Sequence, residues 1–149
     1  LGMSLGSWIA GLVAAHETAV SRASLFLTAG SLADMVWTGR ATRTIRKSLE
    51  PHLTLAQLQR AWAPLNLENH ADRLARPSLE LHVILASRDT VVLPDLSERL
   101  LKRLQNAGAR VSVLRLNCGH YSLGRPPYIL GAGWSLKRFL MRKRDAAQA

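Results

Sequence analysis

"LELHVILASRDTVVLP", residues 79–94, contains a strand, a turn and the start of a helix in direct succession. Residues 79–87 are apolar almost throughout and β-branched at their centre, which is typical of a strand buried on both faces. Pro94 then opens a segment in which leucines recur at helical spacing, and Gly108 ends it. A buried strand followed directly by a helix is the repeating unit of an α/β fold with a parallel sheet.

The same alternation continues on both sides of this stretch. SLFLTA, residues 24–29, is a short apolar run before Gly30, and RVSVLRL, residues 110–116, alternates along its length; both patterns predict strands. Helices are predicted over 5–17, where many small residues indicate close packing, and over 126–141, where the pattern is amphipathic. The sequence therefore predicts three parallel strands covered by helices on both faces.

Between the first two predicted strands lies a long segment, 31–76, with the signals of short helices. Ser31-Leu32-Ala33-Asp34 and Thr54-Leu55-Ala56-Gln57 have the spacing of capping boxes, each of which predicts a helix start. Residues 65–78 are polar and show little periodicity, which favours a loop with a short helical turn. We expect a helical insert here, between two neighbouring strands of the sheet.

Composition and charge limit the class of protein. The chain has 149 residues, 48% of them hydrophobic, which suits one globular domain. Its formal net charge is +10, a balance found in proteins that bind nucleic acids or anionic surfaces. The basic residues are spread along the chain, however, with one dense run over 137–144 and no aromatic ladder among them. We expect a solvated basic surface and no nucleic-acid site; a non-catalytic basic domain that binds nucleic acid or anionic partners is the alternative.

The single cysteine and the hydropathy pattern exclude several further classes. Cys118 has no partner for an internal disulfide, and one cysteine cannot build a cysteine zinc site. No apolar run is long enough for a transmembrane helix, and the apolar residues 1–15 lack the charged start of a signal peptide. We expect no metal and no cofactor, and the cytoplasm as the default location.

The first residues contain a pattern that bears on chemistry. Gly2-Met3-Ser4-Leu5-Gly6 is a G-x-S-x-G motif placed immediately before a predicted helix. A turn from strand to helix that exposes a serine hydroxyl leaves little room for neighbours, which explains glycines two residues to either side. The helix start would also offer backbone N–H groups to an oxyanion, beginning with that of Leu5.

A serine nucleophile needs a base and an acid that orients the base. His120 follows the strand 110–116 directly, and Asp89 follows the strand 79–87. Because loops after parallel strands emerge at one edge of a sheet, Ser4, Asp89 and His120 are expected to converge there. Asp89 as a simple turn aspartate and His120 as a structural loop residue are the alternatives. Asp34 also follows a strand, but a helix cap explains its position better.

Other reactive or aromatic residues have simpler explanations. Four histidines have no partners at ligand spacing and are interpreted as structural: His16, His52, His70 and His82. Cys118 lies near the expected site but is interpreted as a buried residue. Trp37 and Trp62, both in the insert, are candidates for lining a substrate pocket, with core packing as the equal alternative.

On these residues the chain resembles the α/β-hydrolases. Gly2-Met3-Ser4-Leu5-Gly6 resembles their nucleophile elbow, Asp89 in SRDTVVLP their acid turn, and Gly119-His120 their histidine loop. The resemblance covers essentially the whole chain and implies an α/β fold with a cap-like helical insert over 31–76. Three segments correspond to the last three parallel strands of that fold: 25–29, 80–86 and 111–116.

The resemblance implies a serine hydrolase that acts on a carboxylic ester, or a related acyl substrate, through an acyl-enzyme. Ser4 would be the nucleophile, His120 the general base and Asp89 the acid that orients it. The N–H of Leu5 would be one oxyanion donor. A protein with this fold but without activity is a further alternative.

A complete domain of this class has roughly 200–250 residues, with several strands before the elbow. The chain offers only Leu1 and Gly2 for the strand that should lead into the elbow, so that strand is expected to be missing. We therefore expect residues 1–149 to be a single partial domain, the carboxyl-terminal portion of a longer hydrolase without its N-terminal half. Such a piece should be poorly stable and largely inactive in isolation.

Overall fold

A computed structural model of the chain describes residues 1–142; Lys143 and Arg144 of the basic run lie outside the described residues. The described part is an α/β structure in which strands and helices alternate around an insert of short helices. Its elements in chain order are β1 (Gly2–Met3), α1 (Leu5–His16), β2 (Arg22–Phe26), α2 (Leu32–Thr38), α3 (Arg43–Leu49), α4 (Leu55–Ala61), α5 (Ala71–Leu74), β3 (Glu80–Ala86), α6 (Pro94–Asn106), β4 (Arg110–Leu116) and α7 (Tyr128–Met141), with 3-10 turns at Ala63–Leu65, Leu67–His70 and Tyr121–Gly124.

The sheet has four parallel strands in the order β1-β2-β3-β4, which confirms the parallel sheet. The expectation of three strands was wrong by one. Gly2 and Met3 pair with Leu25 and Phe26 and so form a two-residue strand that leads into the serine turn. Two residues carry no readable periodicity, and only the pairing with β2 makes them a strand.

Helices cover both faces of the sheet, as the alternation predicts. On one face, residues of α1 and α6 such as Trp8 and Leu104 pack with Leu81 of β3 in the main hydrophobic core. On the other face, Ala132 of α7 packs with Phe26 and Ile84 of the sheet. All seven residues of β3 are buried, because this strand lies inside the sheet with helices on both sides.

The helix starts follow the sequence signals closely. The Ser31 side chain accepts a hydrogen bond from the Asp34 N–H, and Thr54 forms a complete capping box with Gln57. The strand predicted over 24–29 instead runs from Arg22 to Phe26. It ends there because Leu27 adopts a positive φ of 55°, which turns the chain out of the extended conformation.

The segment 31–76 forms the short helices α2 to α5. Its second half is anchored: Leu67, Ala71 and Leu74 are buried in the main core. The α3 helix, in contrast, buries none of its residues. The Arg40 N–H donates to the Thr90 carbonyl oxygen, so the start of the insert lies against the loop that follows β3.

Two helices expose apolar side chains. On α1, Leu5, Ile9 and Val13 are 57%, 60% and 50% exposed beside the open edge of β1. On α7, the inner face is apolar as the amphipathic pattern predicts, but the outer face also contains apolar residues. Leu130 and Trp134 are apolar residues of the predicted segment 126–141, yet both lie on the outside of the molecule.

Within residues 1–142, no helix combines the length and the apolar character that crossing a membrane requires.

Candidate active site

Ser4 occupies a sharp turn between β1 and α1. Its backbone has φ 52° and ψ −125°, a region that residues other than glycine adopt rarely and at an energetic cost. The turn is held from both sides: the Ser4 N–H donates to the Phe26 carbonyl oxygen over 2.9 Å, and the Ser7 hydroxyl donates to the Ser4 carbonyl oxygen over 2.6 Å. This conformation lifts the Ser4 side chain out of the strand toward the carboxyl edge of the sheet.

His120 and Asp89 meet Ser4 at this edge. His120 Nε2 lies 3.1 Å from Ser4 Oγ, and His120 Nδ1 lies 2.7 Å from Asp89 Oδ2. The side chains of His120 and Asp89 are only 9% and 3% exposed. The structure therefore brings the three residues together in one hydrogen-bonded chain from hydroxyl to carboxylate.

The Asp89 carboxylate is oriented by its own loop. Its Oδ1 atom accepts hydrogen bonds from the N–H groups of Val91 and Val92, over 2.8 and 2.9 Å. Asp89 therefore has both predicted roles. Its Oδ1 atom stabilises the turn, as a turn aspartate would, while its Oδ2 atom faces His120. This arrangement leaves the carboxylate a single orientation toward the imidazole.

The loops that carry the acid and the histidine are joined directly. The Arg88 N–H donates to the Cys118 carbonyl oxygen over 3.0 Å, and the Ser87 N–H donates to the Leu116 carbonyl oxygen over 2.9 Å. These bonds continue the pairing of β3 with β4 past the ends of both strands. The separation of Asp89 and His120 is therefore determined by the sheet.

Leu5 is the first residue of α1, directly after Ser4. The first N–H groups of a helix have no acceptor within the helix, and the helix dipole places partial positive charge there. An oxyanion formed on a carbonyl attacked by Ser4 would lie beside this N–H. The position suits one donor of an oxyanion hole.

The alternative residues are engaged elsewhere. Asp34 is buried, and its carboxylate pairs with Arg99 of α6 and accepts from Gln59. Burial and, second, the charge of Asp89 raise the pKa of the Cys118 thiol, so little nucleophilic thiolate forms at neutral pH. His82 is bonded to serines on the α7 side of the sheet.

The two tryptophans of the insert lie in different environments. The Arg46 guanidinium sits over the Trp37 ring, 5.6 Å from its centroid. Trp62 is half-buried and packs against the main core. Neither contact assigns a pocket, so the substrate-lining role of both residues stays a prediction.

Sequence reasoning did not identify the groups that hold the site in place. Ser7, Phe26, Val91 and Val92 support Ser4 and Asp89 through the hydrogen bonds above. The two valine N–H groups could have been predicted from the sequence, since they lie two and three residues after the aspartate. The bond to the Phe26 carbonyl could not have been predicted, because Phe26 is distant from Ser4 in the sequence. Among residues 1–142, no group of three or more histidine, cysteine or acidic side chains could hold a metal ion.

No protein-family model matches the sequence, and no curated protein matches it significantly. Solved structures, in contrast, match the chain. Acylaminoacyl peptidase of Pyrococcus horikoshii aligns with 99% of the chain at a TM-score of 0.80 and 12% identity. A puromycin-hydrolyzing peptidase of Mycobacterium tuberculosis aligns with 80% at 0.65 and 20% identity, and an esterase of Pyrococcus furiosus with 93% at 0.61 and 13% identity.

These neighbours share the α/β-hydrolase fold, and the chain has part of that fold. It spans 24%, 18% and 50% of the lengths of the three proteins. At these identities the similarity concerns the fold. What the site does is a separate question, for which the geometry around Ser4 is the basis.

Proposed function

We propose that the protein is a serine hydrolase that cleaves a carboxylic ester, or a related acyl compound, through an acyl-enzyme on Ser4. The observation that carries the proposal is the continuous chain from Ser4 Oγ through His120 to Asp89, with contacts of 3.1 and 2.7 Å. A strained serine at a helix start, bonded to a histidine that is bonded to a buried carboxylate, has the geometry of an activated nucleophile.

In the acylation step, Ser4 Oγ attacks the substrate carbonyl carbon while its proton passes to His120 Nε2. The carbonyl oxygen becomes an oxyanion, which the Leu5 N–H stabilises. Asp89 stabilises the imidazolium through Nδ1 and keeps its own charge. The tetrahedral intermediate then collapses: the bond to the alcohol oxygen breaks, and His120 gives the proton to the departing alkoxide.

In the deacylation step, water takes the place of the alcohol. His120 removes a proton from the water as the water oxygen attacks the acyl carbon, and a second tetrahedral intermediate forms. Its collapse breaks the bond from the acyl carbon to Ser4 Oγ and releases the carboxylic acid, while His120 returns the proton to Ser4 Oγ. The free hydroxyl is restored, and neither a metal nor a cofactor takes part.

The names of the similar structures support cleavage of an acyl bond but do not distinguish an ester from an amide. Two of them are named peptidases and one an esterase, so both amide and ester bonds are cleaved by proteins of this fold. An alkoxide is a better leaving group than an amide anion, and an ester carbonyl is more electrophilic than an amide carbonyl, so esters make smaller demands on the site. We therefore propose an ester substrate first.

Labelling with a fluorophosphonate probe tests the proposal, because this probe reacts only with an activated serine. The complete protein encoded by the natural gene should be labelled by the probe. Its Ser4→Ala variant should not be labelled. Ser48→Ala is the matched control, since the Ser48 hydroxyl is exposed and donates to the Ile45 carbonyl oxygen of its own helix. No label in the natural protein would overturn the proposal, as would a label that survives Ser4→Ala.

The preference for esters has its own test. Turnover of a p-nitrophenyl ester should exceed that of the p-nitroanilide with the same acyl group, and Ser4→Ala should remove both. Faster cleavage of the anilide would contradict the ester assignment while leaving the nucleophile in place. If neither bond is cleaved but DNA binding falls steeply with salt, the basic binding-domain alternative is favoured.

A further inference from the structure

The outward face of α7 is apolar where a surface helix is normally polar. Leu130, Trp134 and Met141 are 67%, 64% and 71% exposed. Because successive helix residues are roughly 100° apart, these three and Lys137 form one stripe along the helix. The stripe lies opposite Ala132 and Phe139, the residues that α7 buries against the sheet.

Cationic side chains accompany this stripe. Lys137 lies within it, while Arg138 and Arg142 flank one side. Arg142 is 62% exposed and forms an ion pair with Glu80 at 3.8 Å. In the described part of the chain, the ion pairs include none made by Lys137 or Arg138. The positive charges of Lys137 and Arg138 are therefore available to an external partner, whereas the charge of Arg142 is shared with Glu80.

The apolar and cationic groups share a shallow depression. Trp134, Met141, Lys137, Arg138 and Arg142 together line a cavity of about 370 Å³ at the end of α7. A tryptophan and a methionine beside three cations match the interface of a bilayer, where apolar groups enter the acyl boundary and long basic side chains reach the headgroups. We call these five residues and Leu130 the α7 patch.

We propose that the α7 patch docks the protein onto an anionic lipid surface. A second copy of the chain fits less well, because a two-fold interface would bring the three cations of each patch against those of its partner. A nucleic acid fits less well too, since Leu130 and Met141 would face phosphates. An anionic bilayer takes up both the apolar side chains and the positive charge.

The location of the patch is compatible with an open active site. Arg142 and Leu140 approach Glu80 and Arg22, the first residues of β3 and β2, so α7 ends at the amino edge of the sheet. Ser4 lies at the opposite, carboxyl edge. Docking through Met141 and the three cations, which lie in the last turns of α7 or at its C-cap, would leave the catalytic edge accessible from the aqueous side.

Vesicle sedimentation tests the proposal. The protein should bind vesicles of phosphatidylcholine with about 30% phosphatidylserine and bind pure phosphatidylcholine much less. Lys137→Glu with Arg138→Glu should weaken binding at least tenfold, at about 1 kcal/mol per basic residue near the surface. Arg43→Glu with Lys47→Glu is the matched control: it makes the same charge change on α3, which buries no residue.

A second readout concerns the apolar part of the patch. Brominated lipids should quench tryptophan fluorescence in the natural protein, and Trp134→Phe should remove most of that quenching while circular dichroism stays unchanged. Equal binding to neutral and anionic vesicles would overturn the proposal. So would equal losses in the two charge-reversal variants, or a patch that instead forms a dimer or binds DNA. Fluorophosphonate labelling in solution should be the same in all these variants.

Discussion

The buried carboxylate of Asp34 and the guanidinium of Arg99 form an ion pair that joins the insert to α6, with Oδ2 and Nη2 2.5 Å apart. The same guanidinium binds Glu68 through Nε over 2.8 Å, and Gln59 donates to the other Asp34 oxygen. One arginine therefore connects α2 and the turn before α5 to the helix behind β3. The hydrogen bond from Gln59 to Asp34 lies within the insert and does not reach α6.

Arg99→Ala is expected to lower the free energy of unfolding by about 1–3 kcal/mol. The loss leaves a buried carboxylate without its cation, but Arg99 is itself half-exposed, which keeps the effect below that of a fully buried pair. Arg115→Ala is the control, because its pair with Glu98 is exposed on both sides and should contribute less than about 1 kcal/mol. Urea denaturation measures both; equal losses would contradict the assignment.

The two glycines of the serine motif are expected to respond differently to alanine. A Cβ on Gly2 would overlap the carbonyl oxygen of Gly6, whereas a Cβ on Gly6 meets no atom within 4 Å. The sequence argument that both glycines provide clearance is thus correct for Gly2 only. Gly2→Ala should destabilise the chain by about 1–3 kcal/mol and reduce labelling of Ser4.

Gly6→Ala is the matched comparison. Gly6 lies in the first turn of α1, where alanine is favoured over glycine by up to about 1 kcal/mol. Stability should therefore stay the same or rise, and Ser4 should still be labelled. A loss of stability with Gly6→Ala equal to that with Gly2→Ala would show that the turn is crowded on both sides.

Asp89→Asn is expected to slow labelling of Ser4 by up to about 10⁴-fold, the loss in turnover seen when the acid of such a triad becomes an amide. The asparagine oxygen still accepts from Val91 and Val92, so the loop keeps its conformation. The negative charge beside His120 is lost. Asp95→Asn, at an exposed position in the first turn of α6, should label at the natural rate. Unchanged labelling with Asp89→Asn would remove Asp89 from the mechanism.

Stability should fall in mildly acidic solution because of His82. Its ring is buried between Ser24 and Ser135 and stacks on Phe139, and burial lowers its pKa below the ordinary 6.5. Below pH 6.5 the unfolded chain therefore takes up a proton that the folded chain refuses. Stability is retained above that pH and is lost as the pH falls toward the folded-state pKa, by at most about 1.4 kcal/mol per pH unit.

Urea denaturation between pH 8 and pH 5 measures this effect. His82→Gln should flatten the pH dependence relative to the natural chain, whereas His52→Gln, at an exposed position, should leave it unchanged. Parallel curves for the natural chain and His82→Gln would show that another group is responsible.

Periodicity and helix caps were enough to predict most of the fold. The three longer strands and the helices α1, α6 and α7 lie within a few residues of the segments that the patterns indicate. These elements are set by burial, which leaves a regular trace in the sequence. The strand β1 left no such trace, because two residues are too few to show alternation and its pairing with β2 is a tertiary contact.

The sequence by itself determined that Asp89 and His120 each follow a strand of one parallel sheet and therefore share an edge, and that Ser4 lies directly before a helix. Only the tertiary structure decided their contacts: the positive φ of Ser4, the two valine N–H groups on Asp89 and the distances to His120. It also decided that Asp34 pairs with Arg99 and that the apolar stripe of α7 faces outward. The order of elements follows from local burial patterns, whereas hydrogen-bond partners and exposed faces depend on how distant segments pack together.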